Sequence, residues 1–248
     1  MEVAHIVTAL HSAHEVLRKF EDFDVDISQL MGMRNLSAFV GEVFAAGMVK
    51  AFDGVFRKNP HQDGYPDLLL MDEQGRQLWA QLESRWRDKA PFSPFATGGV
   101  EIKATCGSVP TDAVCRRLGH PGKPSLGDPR IQLLRSYDWK AHHQETNLLM
   151  GIVWDFIDRH VRIVAVFYAN DLDTTYGRTN PDWGAIIQPR EGGGRTTSVS
   201  IMTRAGVGKM YRSWVLVLDD DRYVRFFDTY NGAELMSRAK QTAQPVAL

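Results

Sequence analysis

The 248-residue sequence is poor in cysteine, with only Cys106 and Cys115. Their spacing makes neither a CxxC pair nor part of a four-ligand set, which argues against structural zinc and a disulfide scaffold and suggests a reducing compartment. It also lacks a surplus of charge of either sign. The 29 Lys and Arg against 30 Asp and Glu leave a formal net charge of −1, so no global field draws the chain to polyanions. Any nucleic-acid surface has to be local. Long hydrophobic runs are missing too: Asn147 to Trp154 and Val161 to Ala169 are interrupted or too short for the ~20 residues a membrane helix needs. The amino terminus has Glu2 and histidines within its apolar stretch, unlike the basic start and unbroken core of a secretory signal. The expectation is a soluble protein of a bacterial or archaeal cytoplasm, with no membrane partner. Internal repeats and low-complexity tracts are absent as well, so the organisation has to be read from hydrophobic period and chain breakers.

What the chain does have is apolar content, 44% of its residues, enough to bury a sizeable core. Val3, Ile6, Val7, Leu10, Val16, Leu17 and Phe20 stand near helical spacing, as do Leu36, Phe39, Val40, Val43, Phe44, Met48 and Val49. These predict amphipathic helices over 3–20 and 35–52. The run PDLLLM at 66–71 reads as a buried strand, and VEIKATC at 100–106 alternates polar and apolar residues. Between them, QLWAQLESRWRDK fits either strand or helix. NLLMGIVWDF and VRIVAVFYA, parted by IDRH, predict two more strands, and SWVLVLDDDRYVRFFD a late hairpin. The pairs Trp79/Trp86 and Trp139/Trp154 read as packing residues. The fold class expected is α/β, a single domain over 1–248 with a central mixed sheet flanked by helices.

The chemistry concentrates around the first strands. An acid-x-Lys pattern occurs twice, at Glu101/Lys103 and Asp138/Lys140, and context separates them. Val100, Ile102 and Ala104 can face a core while Glu101 and Lys103 share the opposite strand face, roughly 7 Å apart at Cα. Asp138-Trp139-Lys140 has no such alternation. Asp67, entering its apolar strand from Gly64-Tyr65-Pro66, can converge with that pair at a strand mouth. Two carboxylates supply the oxygen ligands Mg²⁺ prefers, and a lysine adds positive charge where a phosphorane gathers negative charge, a set suited to phosphodiester hydrolysis. Lys103 could deprotonate or orient the attacking water. Glu42, amid Val40, Val43 and Phe44, is either an exposed rim residue or a further site acid.

Pro66-Asp67, then Glu101-Ile102-Lys103, preceded by a helix carrying Glu42 in the order α-β-β-β, resembles the PD-(D/E)XK nucleases, and among them the type II restriction endonucleases. DGYPDLLL, GGVEIKATCGS, DWKAHHQETN and EGGGRTTSVSIM together look like the ApaLI-like group. The motif spans roughly residues 35–106, and its step from Asp67 to Glu101 is long for that family, which marks Gln77 to Phe95 as an insertion. The resemblance implies a restriction-endonuclease-like core over about 35–170 and Mg²⁺-dependent cleavage of double-stranded DNA leaving 5′-phosphate ends. It also implies metal ligands at Asp67, Glu101, the Ile102 main-chain carbonyl and, as an additional ligand, Glu42. A homodimer would match a palindromic site, with a cognate DNA methyltransferase as functional companion; a repair or junction-resolving nuclease of the same fold and a non-catalytic DNA-binding module are the alternative readings.

DNA-recognition elaborations are expected over about 107–143 and 171–212. Residues 114–143 hold six basic against two acidic residues, residues 178–212 again six against two, whereas residues 1–80 hold seven against twelve. The basic charge follows the catalytic strands. Arg116, Arg117 and Lys123 are candidates in the first block, Arg190, Arg195, Thr196, Thr197, Ser198, Arg204 and Lys209 in the second. Gly192-Gly193-Gly194 beside Arg195 lets a backbone approach a groove where arginine can pair with guanine, although a flexible loop with solvated arginines accounts for the same residues. His142 and His143 read as surface residues rather than metal ligands, since neighbours on a helix point apart.

Overall fold

Apolar residues three and four apart produce the first long helices. A computed structural model describes residues 1–22, 26–134, 139–141, 148–174, 180–184, 200–212, 214–229 and 244–246. Helix α1 (Val3–Lys19) buries Ile6, Ala9, Leu10, Ala13, His14 and Leu17. The single turn α2 (Ile27–Leu30) is capped by Asp26, whose carboxylate accepts the Ser28 N–H at 2.9 Å. Helix α3 (Met33–Ala51) buries Leu36, Val40, Val43, Phe44, Ala45, Gly47 and Met48. The expected stripes hold except at Val16, which is 39% exposed on the outer side of α1.

After α3 the chain runs antiparallel through β1 (Phe56–Lys58), β2 (Leu68–Leu70) and β3 (Gly99–Thr105). The stretch that fitted strand or helix between β2 and β3 is α4 (Glu73–Leu82) followed by a 3-10 turn at Glu83–Arg85. Asp72 caps α4 by accepting the Gly75 N–H at 2.7 Å. Leu78, Trp79 and Leu82 turn inward on a small core of Leu69, Met71, Phe92 and Phe95. Then come α5 (Asp112–Arg117), a 3-10 turn at Ile131–Leu133, β4 (Lys140–Ala141), β5 (Leu149–Ile157), β6 (His160–Ala169), β7 (Ser200–Ile201), α6 (Arg204–Arg212), β8 (Trp214–Leu218), α7 (Asp221–Thr229) and β9 (Gln244–Val246).

Seven strands form one sheet in the order β1-β2-β3-β5-β6-β8-β9, while β4 and β7 pair separately. β3 with β5 and β8 with β9 are parallel and the other neighbours antiparallel, so the sheet is mixed and the fold α/β, as expected. β5 is buried from Leu149 through Phe156, which is why Leu149 to Trp154 is apolar without alternation; the one charged residue of the buried span is Asp155. Its first face joins α1 and α3 through Ile152, Trp154 and Phe156, and Trp154 Nε1 donates to Ser37 Oγ at 3.1 Å. Its second face carries Leu149 and Val153 in another core with Trp139, Phe167, Met210 and Tyr223. Gly151 makes that second layer possible, because a Cβ there would stand 2.5 Å from the Trp139 ring.

Two expectations need correction. The late hairpin is a strand followed by helix α7: Asp220 accepts the Arg222 N–H on its carboxylate at 2.9 Å and the Tyr223 and Val224 N–H groups on its carbonyl at 3.0 Å, which starts a helix instead of a turn. Trp139 and Trp154 are core and Trp79 packs on the small third core, whereas Trp86 is 47% exposed and meets the Trp79 ring edge-on at 5.4 Å. Among the described residues, no helix is long and apolar enough to cross a membrane.

Candidate active site

β3 exposes its alternating face as expected: Val100, Ile102 and Ala104 lie against the first core while Glu101 and Lys103 share the other side. β3 can come this close to β2 because residue 99 is glycine. Its φ is +154° and a Cβ would lie 1.8 Å from the Leu68 carbonyl oxygen. Pairing of β2 with β3 stops at Leu68 opposite Val100, and there Asp67 substitutes a side-chain bond for the missing ladder. Its Oδ2 accepts the Ile102 N–H at 2.7 Å, while the Asp67 N–H donates to Glu101 Oε2 at 3.3 Å. Because Glu101 N–H turns toward β5, donating to the Leu148 carbonyl at 3.0 Å, the Ile102 main chain turns the other way, toward Asp67. Lys103 Nζ is bonded to Glu101 Oε1 and stands 3.9 Å from Asp67 Oδ2. The residues picked out by spacing thus form one contact network.

The network opens into a cleft of about 230 Å³ walled by Ser37, Ala38, Gly41, Glu42 and Ala45 of α3, by Lys58, Asn59, His61 and Gln62, and by Asp67, Ile102, Lys103 and Ala104. Glu42 is therefore at the site, on its rim, with its carboxylate paired to Lys58 Nζ. Sequence reasoning passed over Lys58, Asn59 and His61. Asn59 is the loop's anchor: it donates Nδ2 to the Pro66 carbonyl at 3.0 Å and the Phe92 carbonyl at 2.9 Å, accepts the His61 N–H at 3.0 Å, and its own N–H reaches the Asp67 carbonyl at 2.9 Å. The Asn59-Pro60 dipeptide was the available signal, a turn mark just after a strand.

Electrostatics divide the three central groups. Burial pushes the Asp67 carboxyl up to about 7, helped by the nearby charges of Glu101 and Glu42 and opposed by Lys103 and the Ile102 N–H. For Lys103, burial alone would favour the neutral amine, but Glu101 and Asp67 outweigh it and hold the group above the ordinary lysine value. The neighbouring carboxylates thus favour the charged form of Lys103. Among the described residues, no three or more His, Cys, Asp or Glu stand grouped as a ready metal centre. Two of the candidate carboxylates, Glu101 and Glu42, are instead engaged by lysines.

The expected DNA-contacting residues are less concentrated. Arg116, Arg117 and Lys123 are exposed, with Arg116 bonded to Asp112 at 2.8 Å. Arg204 opens α6 and is exposed. Lys209 is different: its Nζ lies 2.6 Å from the buried carboxylate of Asp182 and donates to the Asp171 carbonyl at 2.5 Å. Arg190, Arg195, Thr196, Thr197 and Ser198, like His142 and His143, lie outside the described residues. No protein-family model, curated protein or solved structure matches the chain.

Proposed function

We propose that this protein is a Mg²⁺-dependent endonuclease of the PD-(D/E)XK type that hydrolyses phosphodiester bonds of double-stranded DNA at a specific sequence, as a type II restriction enzyme does. The observation that carries the reading is the network in which Asp67 and Lys103, both lining the cleft, each meet the buried Glu101 directly behind it, through the Asp67 N–H and Lys103 Nζ. The order α3-β1-β2-β3, with β5 added parallel to β3, supports a restriction-endonuclease-like core.

The donor set suits a hard cation, since Asp67, Glu101, Glu42 and the Ile102 carbonyl offer only oxygen. Burial first, and then the charge of Glu101, raises the Asp67 carboxyl, and a bound cation would offset both. Bound there, Mg²⁺ supplies Lewis-acid polarisation of the scissile phosphate and of water. The chain's own residues do the rest. Asp67 and Glu101 would hold the cation, and the Lys103 ammonium would orient the water and face the charge that develops as its oxygen bonds to phosphorus. As water's oxygen bonds to phosphorus the P–O3′ bond breaks; the proton that water loses passes to bulk solvent and the 3′-oxygen takes one up from bulk solvent, leaving a 5′-phosphate and a 3′-hydroxyl. A homodimer would bring one site to each strand of a palindrome, and a methyltransferase would protect the host's own copies of that sequence.

The test is incubation of purified protein with unmethylated phage DNA and Mg²⁺, followed by sequencing of the fragment ends. Discrete fragments with 5′-phosphates that vanish in Asp67→Ala and Glu101→Ala support the reading. Near-normal cleavage by either variant at saturating Mg²⁺ rejects the site, and binding without cleavage by the wild type would make the chain a DNA-binding module.

A further inference from the structure

Two lysines paired with carboxylates line the cleft, and only Lys103 has a part in the reaction described above. Lys103–Glu101 lies on β3. Lys58–Glu42 joins β1 to α3, with Lys58 in register with Leu68, the residue that follows Asp67. Pairs on an open surface contribute little, about 0–1 kcal/mol, so stability alone is a weak reason for this one. Its placement is more telling. Glu42 and Lys58 both line the cleft with Asp67; the Glu42 side chain is 41% exposed, and its Oε2 oxygen is covered by the Lys58 ammonium. Lys58 itself keeps about half its side chain exposed, on a long flexible stem that can swing to another anion.

We propose that Lys58 is a latch on cation loading: in the DNA-free protein it occupies Glu42, and a phosphate of bound duplex draws it away, freeing Glu42 to join Asp67 as an oxygen ligand for a divalent cation. The inference rests on the nuclease reading and adds a regulation to it. Lys58 has two anions to choose between, the Glu42 carboxylate and a DNA phosphate, and the cation has a use for the one it leaves. DNA and cation therefore bind with positive coupling, and by linkage each tightens the other by the same factor. A nuclease so built holds its cation weakly until a duplex is in place.

Calorimetric titration with Ca²⁺, a hard cation read without any cleavage assay, tests this on the full-length protein with and without a short mixed-sequence duplex. Lys58→Met keeps the stem and removes the charge. Without DNA it is expected to bind Ca²⁺ at least about fivefold more tightly than wild type, and the duplex should tighten wild type but add little to the variant. Lys58→Arg, which can keep the pair, should behave as wild type. Equal DNA-free affinity in Lys58→Met and wild type, or equal tightening by DNA in both, overturns the latch. Asp67→Asn separates this from failure of the site itself. If Asp67→Asn loses Ca²⁺ binding while Lys58→Met is unchanged, the latch alone is wrong; if Asp67→Asn binds as wild type, the nuclease site falls and the latch with it.

Discussion

At the scale of single residues, Asp67 is where function and stability pull apart. Its carboxyl titrates at about 7 against 3.8 in an open chain, so the native protein holds this proton more tightly than the unfolded one. The contribution to stability is present at low pH and lost as pH rises from about 4 to about 7. Asp67→Asn removes the titration and keeps an oxygen for the Ile102 N–H. In chelator, its denaturation midpoint should exceed that of wild type above pH 7, with the gap closing toward pH 4, while cleavage is abolished. Equal midpoints across this range would mean that burial and the Glu101 charge do not raise the Asp67 carboxyl in the fold. The residues of this network were legible from sequence for a definite reason. Glu101 and Lys103 sit two apart on a strand whose other face is apolar, so their shared side follows from the period, and Asp67 marks the start of the neighbouring strand. Lys58 was not legible, because β1 is three residues long and no period can show in Phe56-Arg57-Lys58.

At the scale of elements, long periodic segments were readable and short or two-way segments were not. α3 and β5 announce themselves by stripe and by run. Helix α7 does not, since Tyr223, Val224 and Phe226 suit both a strand and a helix face over so few residues, and Asp219-Asp220-Asp221 serves a turn or a helix N-terminus equally. Only the bonds to Asp220 decide it. The docking of α1 also hides a polar detail. His14, within a stripe of apolar neighbours, is buried and accepts the Ile163 N–H of β6 on Nε2 at 3.0 Å. Burial, with Arg162 and Arg18 nearby, lowers its pKa to about 4 from 6.5. The native state thus refuses a proton that the unfolded chain accepts, so this stabilisation is whole above pH 6.5 and is lost as pH falls toward 4. Between pH 7.5 and 4.5 the loss is about 2.5 kcal/mol for this group. His14→Gln, which can still accept the Ile163 bond, should lose that much less stability over the same interval in urea denaturation, and an identical pH dependence would show that His14 is protonated in the fold.

At the scale of the whole molecule, charge and burial have to be weighed together, and local composition alone misleads. The basic excess that follows the catalytic strands suggested a phosphate-binding surface, yet the described cations there have different surroundings. Arg117, Lys123 and Arg204 are exposed, and Arg116 is exposed beside Asp112. Arg130 is buried, its main-chain N–H on the Asp155 carboxylate that also accepts the Tyr223 hydroxyl at 3.1 Å. Lys209 reaches across from α6 to Asp182, whose carboxylate is only 1% exposed and also accepts the Asp173 N–H at 2.6 Å. Sequence shows that a lysine is present but not that its charge is already taken, because Asp182 lies in a different segment and meets it only in the fold. Read from sequence, Lys209→Ala would weaken binding to all DNA sequences alike and lower the salt slope by roughly one unit. The Lys209–Asp182 ion pair argues for a different outcome. Removing Lys209 leaves a buried carboxylate without its cation, which typically costs about 3–5 kcal/mol, so Lys209→Ala should unfold at markedly lower urea concentration while the salt slope of DNA binding, measured well below its unfolding temperature, stays as in wild type. Lys123→Ala, exposed and free to meet phosphate, should do the opposite: unchanged stability with a slope lower by roughly one unit. A slope loss in Lys209→Ala with normal stability would return Lys209 to the DNA-binding surface and show that Asp182 is satisfied without it.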